Sequence, residues 1–411
     1  MTRFHDALET RTPEQRAADL ARELPGQVAH ARAKSPYYAR MLADVAAQEI
    51  TGPEALARLP VLRKSALQAR QAEQPPFGGL TTQELGDMLR VFQSPGPLYE
   101  PQTRRADFWR FARAMTAAGF EPGGLIHNSF AYHFTPAGFM FDTAAAALGC
   151  PVFPAGTGQS ELQVRAMAAL GARHYTGTPS FLKTLLDKAA ELGEDVSRLS
   201  RALVTAEPCP PSLVAEFRNR GVDVYQCYGT ADLGLVAYET EAREGLVVDE
   251  GVIVEIVRPG SGEPVAEGEV GELLVTTLNP DYPLLRFATG DLSAVLPGPC
   301  PTGRTHMRIR GWMGRADQTC KVRGLFVQPS QVQQVVSRHP EVSRARLVVT
   351  RTDHQDHMEL RCAVDGPAEG LSEAVADTLR EATRLRGEVT LVAADDLPND
   401  GKVIDDQRTF E

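Results

Sequence analysis

Between residues 90 and 230, short apolar runs alternate with amphipathic stretches, and this pattern restricts the fold more than any other feature. The pieces run "GLIHNSF", "PAGFMFDTAAAALG", "CPVFPAG", "SELQVRAMAALG", "ARHYTGT", "PSFLKTLLDKAAELG" and "RALVTAE", with Gly and Pro as punctuation. Strand, helix, strand at this spacing predicts a parallel sheet with helices on its faces. Ligands of such sheets bind at the carboxyl ends of the strands. The loops to watch are therefore "FAYHFTPAG", "PAGTGQ", "TAEP" and "YGTAD".

The flanks have a different texture. Residues 1–75 carry apolar residues at helical spacing, with breaks expected at Pro25, Pro36 and Pro60. Residues 246–297 alternate like antiparallel strands around the turn "PGSGEP". After the Gly- and Arg-rich connector "IRGWMGRADQTCKVRG", the chain reads helix (329–338), strand (344–350), strand (358–364), helix (371–385) and strand (388–393). A chain of 411 residues exceeds what one core usually supports. The expected division is an N-terminal helical region (1–75), an α/β core with a β-rich subdomain (76–317) and a small mobile α+β domain (318–411).

Composition excludes several classes. A net charge of -10 argues against a broad nucleic-acid surface, which needs excess Lys and Arg. No apolar run is long enough to span a membrane, and "MTRFHDALETRTPEQ" has no apolar signal core. Cys150, Cys209, Cys227, Cys300, Cys320 and Cys362 are scattered without a CxxC pair, which suits reduced thiols in the cytoplasm.

Five stretches carry chemistry, each with a plainer reading beside it. In "CYGTADLG", Tyr228 offers a face for stacking, Thr230 a hydroxyl and Asp232 a carboxylate suited to Mg²⁺; the plain reading is a turn that needs Gly229. In "LLRFATGDL", Asp291 follows an apolar run and could accept from a ribose diol, or be an ordinary turn Asp. "GWMGRADQTCKVRGLFVQP" is a hinge or a solvated linker, and Lys402 in "LPNDGKVIDD" alone is a surface charge. The aromatic loop "NSFAYHFTPAGFMF" combines Tyr132 and Phe134 with His133; most of these rings suit core packing, whereas His133 sits where a catalytic imidazole could.

In this order, the stretches resemble the phenylacetate–CoA ligase family of adenylate-forming enzymes. "AEP" (206–208), "YGTAD" (228–232), "LLRFATGDL" (284–292), "GRADQTCKVRGLFVQPSQV" (314–332) and "GKVID" (401–405) match its motifs in register, and "SPYYARML" and "LPVLRKSAL" look like its opening helices. The resemblance implies a large layered α/β domain with a small mobile α+β domain, and a two-step reaction. A carboxylate attacks the α-phosphate of ATP to give an acyl-adenylate and pyrophosphate, and the thiol of CoA then displaces AMP. It also implies roles. Ala206, Glu207 and Pro208 border the adenine, and Tyr228, Gly229 and Thr230 continue the nucleotide site. Asp291 holds the ribose and Arg315 lies near the α-phosphate. Asp317 is the hinge, and Lys402 bridges to the α-phosphate during adenylation.

One departure matters. The family's phosphate loop reads like Ser-Ser-Gly-Thr-Thr-Gly-x-Pro. Here "SPGPLYEP" keeps Ser94, Gly96 and Pro101 but loses both threonines and the second glycine. Prolines 95 and 97 also remove two N–H groups. Each hydrogen bond to a charged group contributes roughly 1.5–3 kcal/mol, so triphosphate binding should weaken. This leaves an ATP-dependent ligase in front, with an ATP-independent acyltransferase between CoA and a carrier-protein thiol, or a non-catalytic acyl-binding protein, as alternatives. Cys300 in "CPTGRT" lacks the partners of a zinc site, so no zinc is expected. Phe92, Tyr132, Phe134, Ala155 and Gly156 suggest a pocket for an aryl or arylacetic acid, and a homodimer follows from family analogy.

Overall fold

The computed structural model describes residues 4–94, 97–258, 262–316, 320–352, 355–364, 366, 370–397 and 403–408. The chain divides into two compact units, Met1–Met313 and Gly314–Glu411.

The first unit is built on a nine-stranded sheet. Its parallel half runs Asp223–Thr230, Arg201–Val204, His174–Gly177, Ile126–Asn128 and Val152–Pro154 in spatial order. Helices Ala137–Leu148, Ser160–Leu170, Pro179–Leu192 and Pro211–Asn219 connect these strands. The other half is antiparallel and continues through Gly234–Glu239, Leu246–Val248, Arg308–Ile309 and Val295–Leu296. Of the strand–helix alternation expected between 90 and 230, the part from Ile126 onward is present, whereas Arg90–Ser94 and Leu98–Gln102 pair as a separate hairpin. A second, four-stranded sheet holds Val252–Val257, Gly271–Thr277 and Phe287–Ser293, with the short strand Leu62–Arg63 at its edge. This is the β-rich part of the large unit. Trp109, Phe111, Phe120, Phe141, Tyr238 and Phe287 are almost wholly buried in its main core.

Pro25 does not break the chain as expected. One helix, Pro13–Lys34, passes through it. Its N-terminus is fixed by a capping box between Thr12 and Gln15, and Leu24, Val28 and Ala31 form a fully buried stripe at helical spacing. A proline's missing N–H weakens a helix, but this packing outweighs it. Pro36, by contrast, opens the helix Pro36–Met41 at its first turn behind the Ser35 cap.

An ion cluster ties the N-terminal segment to the core. Three carboxylates face the buried Arg113 guanidinium: Asp6 at 2.8 Å, Glu9 at 3.1 Å and Asp249 at 3.1 Å. Glu9 also meets Arg304 at 2.7 Å, and Glu250 takes Arg11 and Arg16, both at 2.9 Å.

The second unit is a small α+β module. Its four-stranded sheet runs Glu388–Ala393, Gln355–Val364, Val342–Thr352 and Ile404–Asp406. Helices Pro329–Arg338 and Leu371–Thr383 pack with the sheet around Val335, Leu347, Leu360, Val375 and Leu379. The short strand Ile404–Asp406, parallel to Val342–Thr352, was not expected. Nor was the hairpin Cys320–Val322/Leu325–Val327, which lies in the stretch taken for connector. No helix among the described residues is long and apolar enough to cross a membrane.

Candidate active site

The strand Asp223–Thr230 ends in the "YGTAD" loop, and Gly229 is needed there. A Cβ at this position would stand 2.6 Å from the Gly234 carbonyl oxygen, where the antiparallel neighbour closes in and the register shifts. The preceding Tyr228 is half-buried, and its hydroxyl donates to Asp291 Oδ2 at 2.6 Å. Asp291 Oδ1 accepts from the Trp312 indole N–H at 3.1 Å. One carboxylate thus joins two aromatic rings that come from distant parts of the first unit.

The loop after Arg201–Val204 carries Ala206, exposed and in the left-handed region at φ 74, which is costly for a residue with a Cβ. Glu207 Oε1 accepts from the Ser180 N–H at 2.6 Å, and Thr205 Oγ1 donates to the Cys227 carbonyl at 2.7 Å. Pro208 follows, half-buried. These bonds hold the loop against the neighbouring helix and strand.

The stretch "RVFQSPGPLYEP" forms a β-hairpin. Arg90–Ser94 pairs with Leu98–Gln102 in antiparallel register, Ser94 opposite Leu98 and Phe92 opposite Glu100. Gln71 clamps one side, exchanging two 2.8 Å bonds with the Tyr99 backbone. The Gln93 N–H donates to the Phe134 carbonyl at 2.9 Å. The Ser94 hydroxyl, a candidate phosphate donor, points to Glu100 and donates to its Oε1 at 2.5 Å.

Beside Glu100 lies a group that sequence reading overlooked. Lys64 Nζ donates to Asp232 Oδ2 at 2.6 Å. Burial disfavours the ammonium, but Asp232, with Glu100 and Asp291 nearby, holds its pKa above the ordinary lysine value. Burial, reinforced by the Asp232 charge, pushes the Glu100 carboxyl up to about 8, against the opposing effects of the Ser94 hydroxyl and Lys64. Glu100 Oε2 and Asp232 Oδ1 are both buried without a hydrogen-bond partner, as is the Tyr282 hydroxyl. Burial, with Asp232 and Glu100 nearby, raises the pKa of Tyr282 well above that of free tyrosine.

Asp232, expected to meet Mg²⁺, has one oxygen committed here to an ammonium, whose charge would repel a dication, and burial holds the neighbouring Glu100 carboxyl well above the ordinary carboxylate range. Among the described residues no group of three or more His, Cys, Asp or Glu could hold a metal. Cys300 contacts the hydroxyls of Thr302 and Thr240.

The aromatic loop divides into two parts. Phe92 is buried against Phe139 at 5.4 Å and Trp109 at 5.9 Å between ring centroids. Tyr132 accepts from the Asn128 amide at 2.7 Å and packs edge-on to Phe139. At the tip, His133 and Phe134 are exposed and meet edge-to-face; Phe134 is 69% exposed at φ 63. Ala155 and Gly156 lie across from this loop on the sheet, with the Gly156 N–H donating to the Asn128 carbonyl at 3.1 Å. Gln163, also missed in the sequence, pins their loop by donating to the carbonyls of Gly156 and Gly158 at 2.9 and 2.7 Å.

Gly96, Asp317 and Lys402 lie outside the described residues, and Arg315 belongs to the second unit.

The chain can now be set beside known proteins. Residues 110–279 match the AMP-binding enzyme family. The chain is 32% identical to a phenylacetate–coenzyme A ligase of Thermus thermophilus over 399 residues, 92% of this chain and 88% of that protein. It belongs to the phenylacetate–CoA ligase family. The Escherichia coli phenylacetate–coenzyme A ligase is 29% identical, over 87% of this chain and 84% of that protein. The fold matches that of 2-hydroxyisobutyryl-CoA ligase, whose crystal structure superposes with a TM-score of 0.81 at 23% identity, over 98% of this chain and 92% of that one.

For a phenylacetate–CoA ligase family member the departure at residues 94–101 gains definition. The described part of the loop is hairpin strand, its serine is held by a carboxyl group, and the ammonium of Lys64 lies near that carboxyl. Lys64 could not be singled out in "LPVLRKSAL", because its partner lies 168 residues further along the chain.

Proposed function

We propose that the chain is an AMP-forming acid–CoA ligase that activates an aryl or arylacetic acid through an acyl-adenylate. The carrying observation is the 32% identity to a phenylacetate–coenzyme A ligase across nearly the full length of both chains. In this reading Tyr228 stacks on the adenine, Ala206, Glu207 and Pro208 border it, and Asp291 accepts from the ribose hydroxyls. The Tyr228–Asp291–Trp312 bonds supply a preorganised carboxylate for that task. Arg315 and Lys402, from the second unit, act on the α-phosphate, with Asp317 as hinge. The acid lies against Tyr132, Phe134, Ala155 and Gly156, near His133. Because Asp232 is engaged by Lys64, Mg²⁺ arrives with the nucleotide's phosphates rather than at a carboxylate of this loop.

The test is to supply ATP, CoA and a panel of aryl acids and to follow AMP and pyrophosphate. One acid should give AMP and acyl-CoA in equal amounts. Failure of every acid at millimolar ATP would overturn the assignment.

A second reading is favoured by the hairpin. Ser94 is occupied by Glu100, and the loop keeps few donors for a triphosphate. An ATP-independent transferase moving an acyl group between CoA and a carrier-protein thiol would use the same acyl pocket and need no phosphate loop. Transfer between two thiols with no nucleotide present would establish it, and a ligand bound without turnover would leave a binding protein. A homodimer belongs to the proposal by family analogy, and sedimentation at micromolar concentration checks it. All six cysteines are buried free thiols, which supports a reducing compartment such as the cytoplasm.

A further inference from the structure

The loop that should hold the β- and γ-phosphates has lost donors, yet a cation stands beside it. Among the described residues Lys64 Nζ makes a single hydrogen bond, to Asp232, and an ammonium has three donors. The pair is layered. The Asp232 side chain is 1% exposed, whereas that of Lys64 is 31% exposed. Solvent therefore reaches the pair through the lysine side chain and not through the carboxylate, although burial still disfavours the ammonium. Glu100, on the hairpin strand, completes the cluster with its hydroxyl partner Ser94. Asp232 Oδ1 and Glu100 Oε2 are buried without partners, so the cluster has hydrogen-bonding capacity that its own residues do not fill.

We propose that Lys64, oriented by Asp232, is the oxyanion anchor on the phosphate side of the site, holding a β- or γ-phosphate oxygen of the nucleotide and then pyrophosphate in place of the donors missing from the hairpin. Asp232 is the counter-ion that aims Lys64, not a metal ligand. This rests on the ligase reading above. It answers how a family member without the usual loop can still grip a triphosphate: a point charge on a long stem replaces a cradle of N–H and O–H groups.

Pyrophosphate alone, measured by calorimetry, tests the anchor without requiring turnover. Lys64→Ala leaves Asp232 buried without its partner and risks the fold, so Lys64→Met/Asp232→Asn, which removes both charges at similar volume, is measured beside it. The expected result is a roughly 10- to 100-fold weaker pyrophosphate affinity in the double variant and a smaller loss in Lys64→Arg, as for one charge-assisted bond. The rate of CoA acylation from supplied acyl-adenylate should change far less. Unchanged pyrophosphate affinity in the double variant overturns the anchor. So does Mg²⁺ binding by the wild-type protein without nucleotide that is lost in Asp232→Asn, because that would make Asp232 a metal ligand beside Lys64. The ligase reading fails separately: wild type that binds pyrophosphate through Lys64 but makes no adenylate with any acid keeps the anchor and loses the ligase. Wild type that neither binds pyrophosphate nor forms an adenylate loses both.

Discussion

Two regions of the first unit invite comparison, the Tyr228–Asp291–Trp312 cluster and the Ser94–Glu100–Lys64–Asp232 cluster. Both are built from side chains far apart in sequence, and both centre on acidic groups. In the first, each carboxylate oxygen has a donor, from a phenol and from an indole. In the second, two carboxyl groups each leave one oxygen buried without a partner, and one of them is protonated near neutral pH. Under the proposed assignment, the first cluster serves the nucleoside with its carboxylate already held by two donors, and the second serves the triphosphate with an ammonium beside a hairpin in place of a loop of donors.

Experiments can break or sharpen this contrast. The largest expected effect is at Lys402, the proposed α-phosphate contact. Lys402→Ala should cost roughly 10²–10³ in adenylate formation while sparing acyl transfer from supplied acyl-adenylate. Equal loss in both half-reactions, followed by rapid mixing, would refute its role. Next, Asp291→Ala should raise the KM for ATP by roughly 10- to 100-fold with pyrophosphate affinity unaltered, since it acts only at the nucleoside end. A matching drop in pyrophosphate binding would dissolve the two-region division. Tyr228→Phe removes one hydrogen bond to Asp291 and keeps the ring, so a change of about three- to tenfold in the same KM is expected.

The smallest effect concerns stability. The folded-state pKa of Glu100 is raised to about 8 from an ordinary 4.5, so between these values the unfolded chain has lost a proton that the native state retains. Its contribution therefore weakens native stability as pH rises from about 4.5 to about 8 and is level beyond. Lys64, Asp232, Ser94 and Tyr282 are the polar neighbours that set this titration. Glu100→Gln has no such proton to hold, so its Tm should match wild type near pH 4.5 and exceed it by about 2–4 °C at pH 8. A gap that stays constant with pH would show that Glu100 is ionised throughout.

Much of the scaffold was legible in the sequence. Helix Pro329–Arg338 and strand Glu388–Ala393 begin and end where the periodicity placed them, since turn residues bracket a single unbroken pattern. The pieces between 125 and 205 were equally plain. Pro25 misled because local propensity was outweighed by the Leu24–Val28–Ala31 stripe, whose burial depends on tertiary packing. Ile404–Asp406 was missed because three residues carry no period of their own and form a strand only by pairing with Val342–Thr352. At the site, Tyr228 and Asp291 were found because each sits in a motif. Lys64, Glu100, Gln163 and Trp312 were not, since each takes its meaning from a partner or a fold contact absent from its local sequence.

The ion cluster at the N-terminal segment has a practical side. Asp6 and Glu9 are two of the three carboxylates around Arg113, and Arg11 and Arg16 reach back to Glu250. Trimming the first dozen residues to tidy an expression clone would therefore strip counter-charges from the interior of the sheet domain. Such a protein should unfold at a lower temperature, because Arg113 would keep its buried charge with fewer partners.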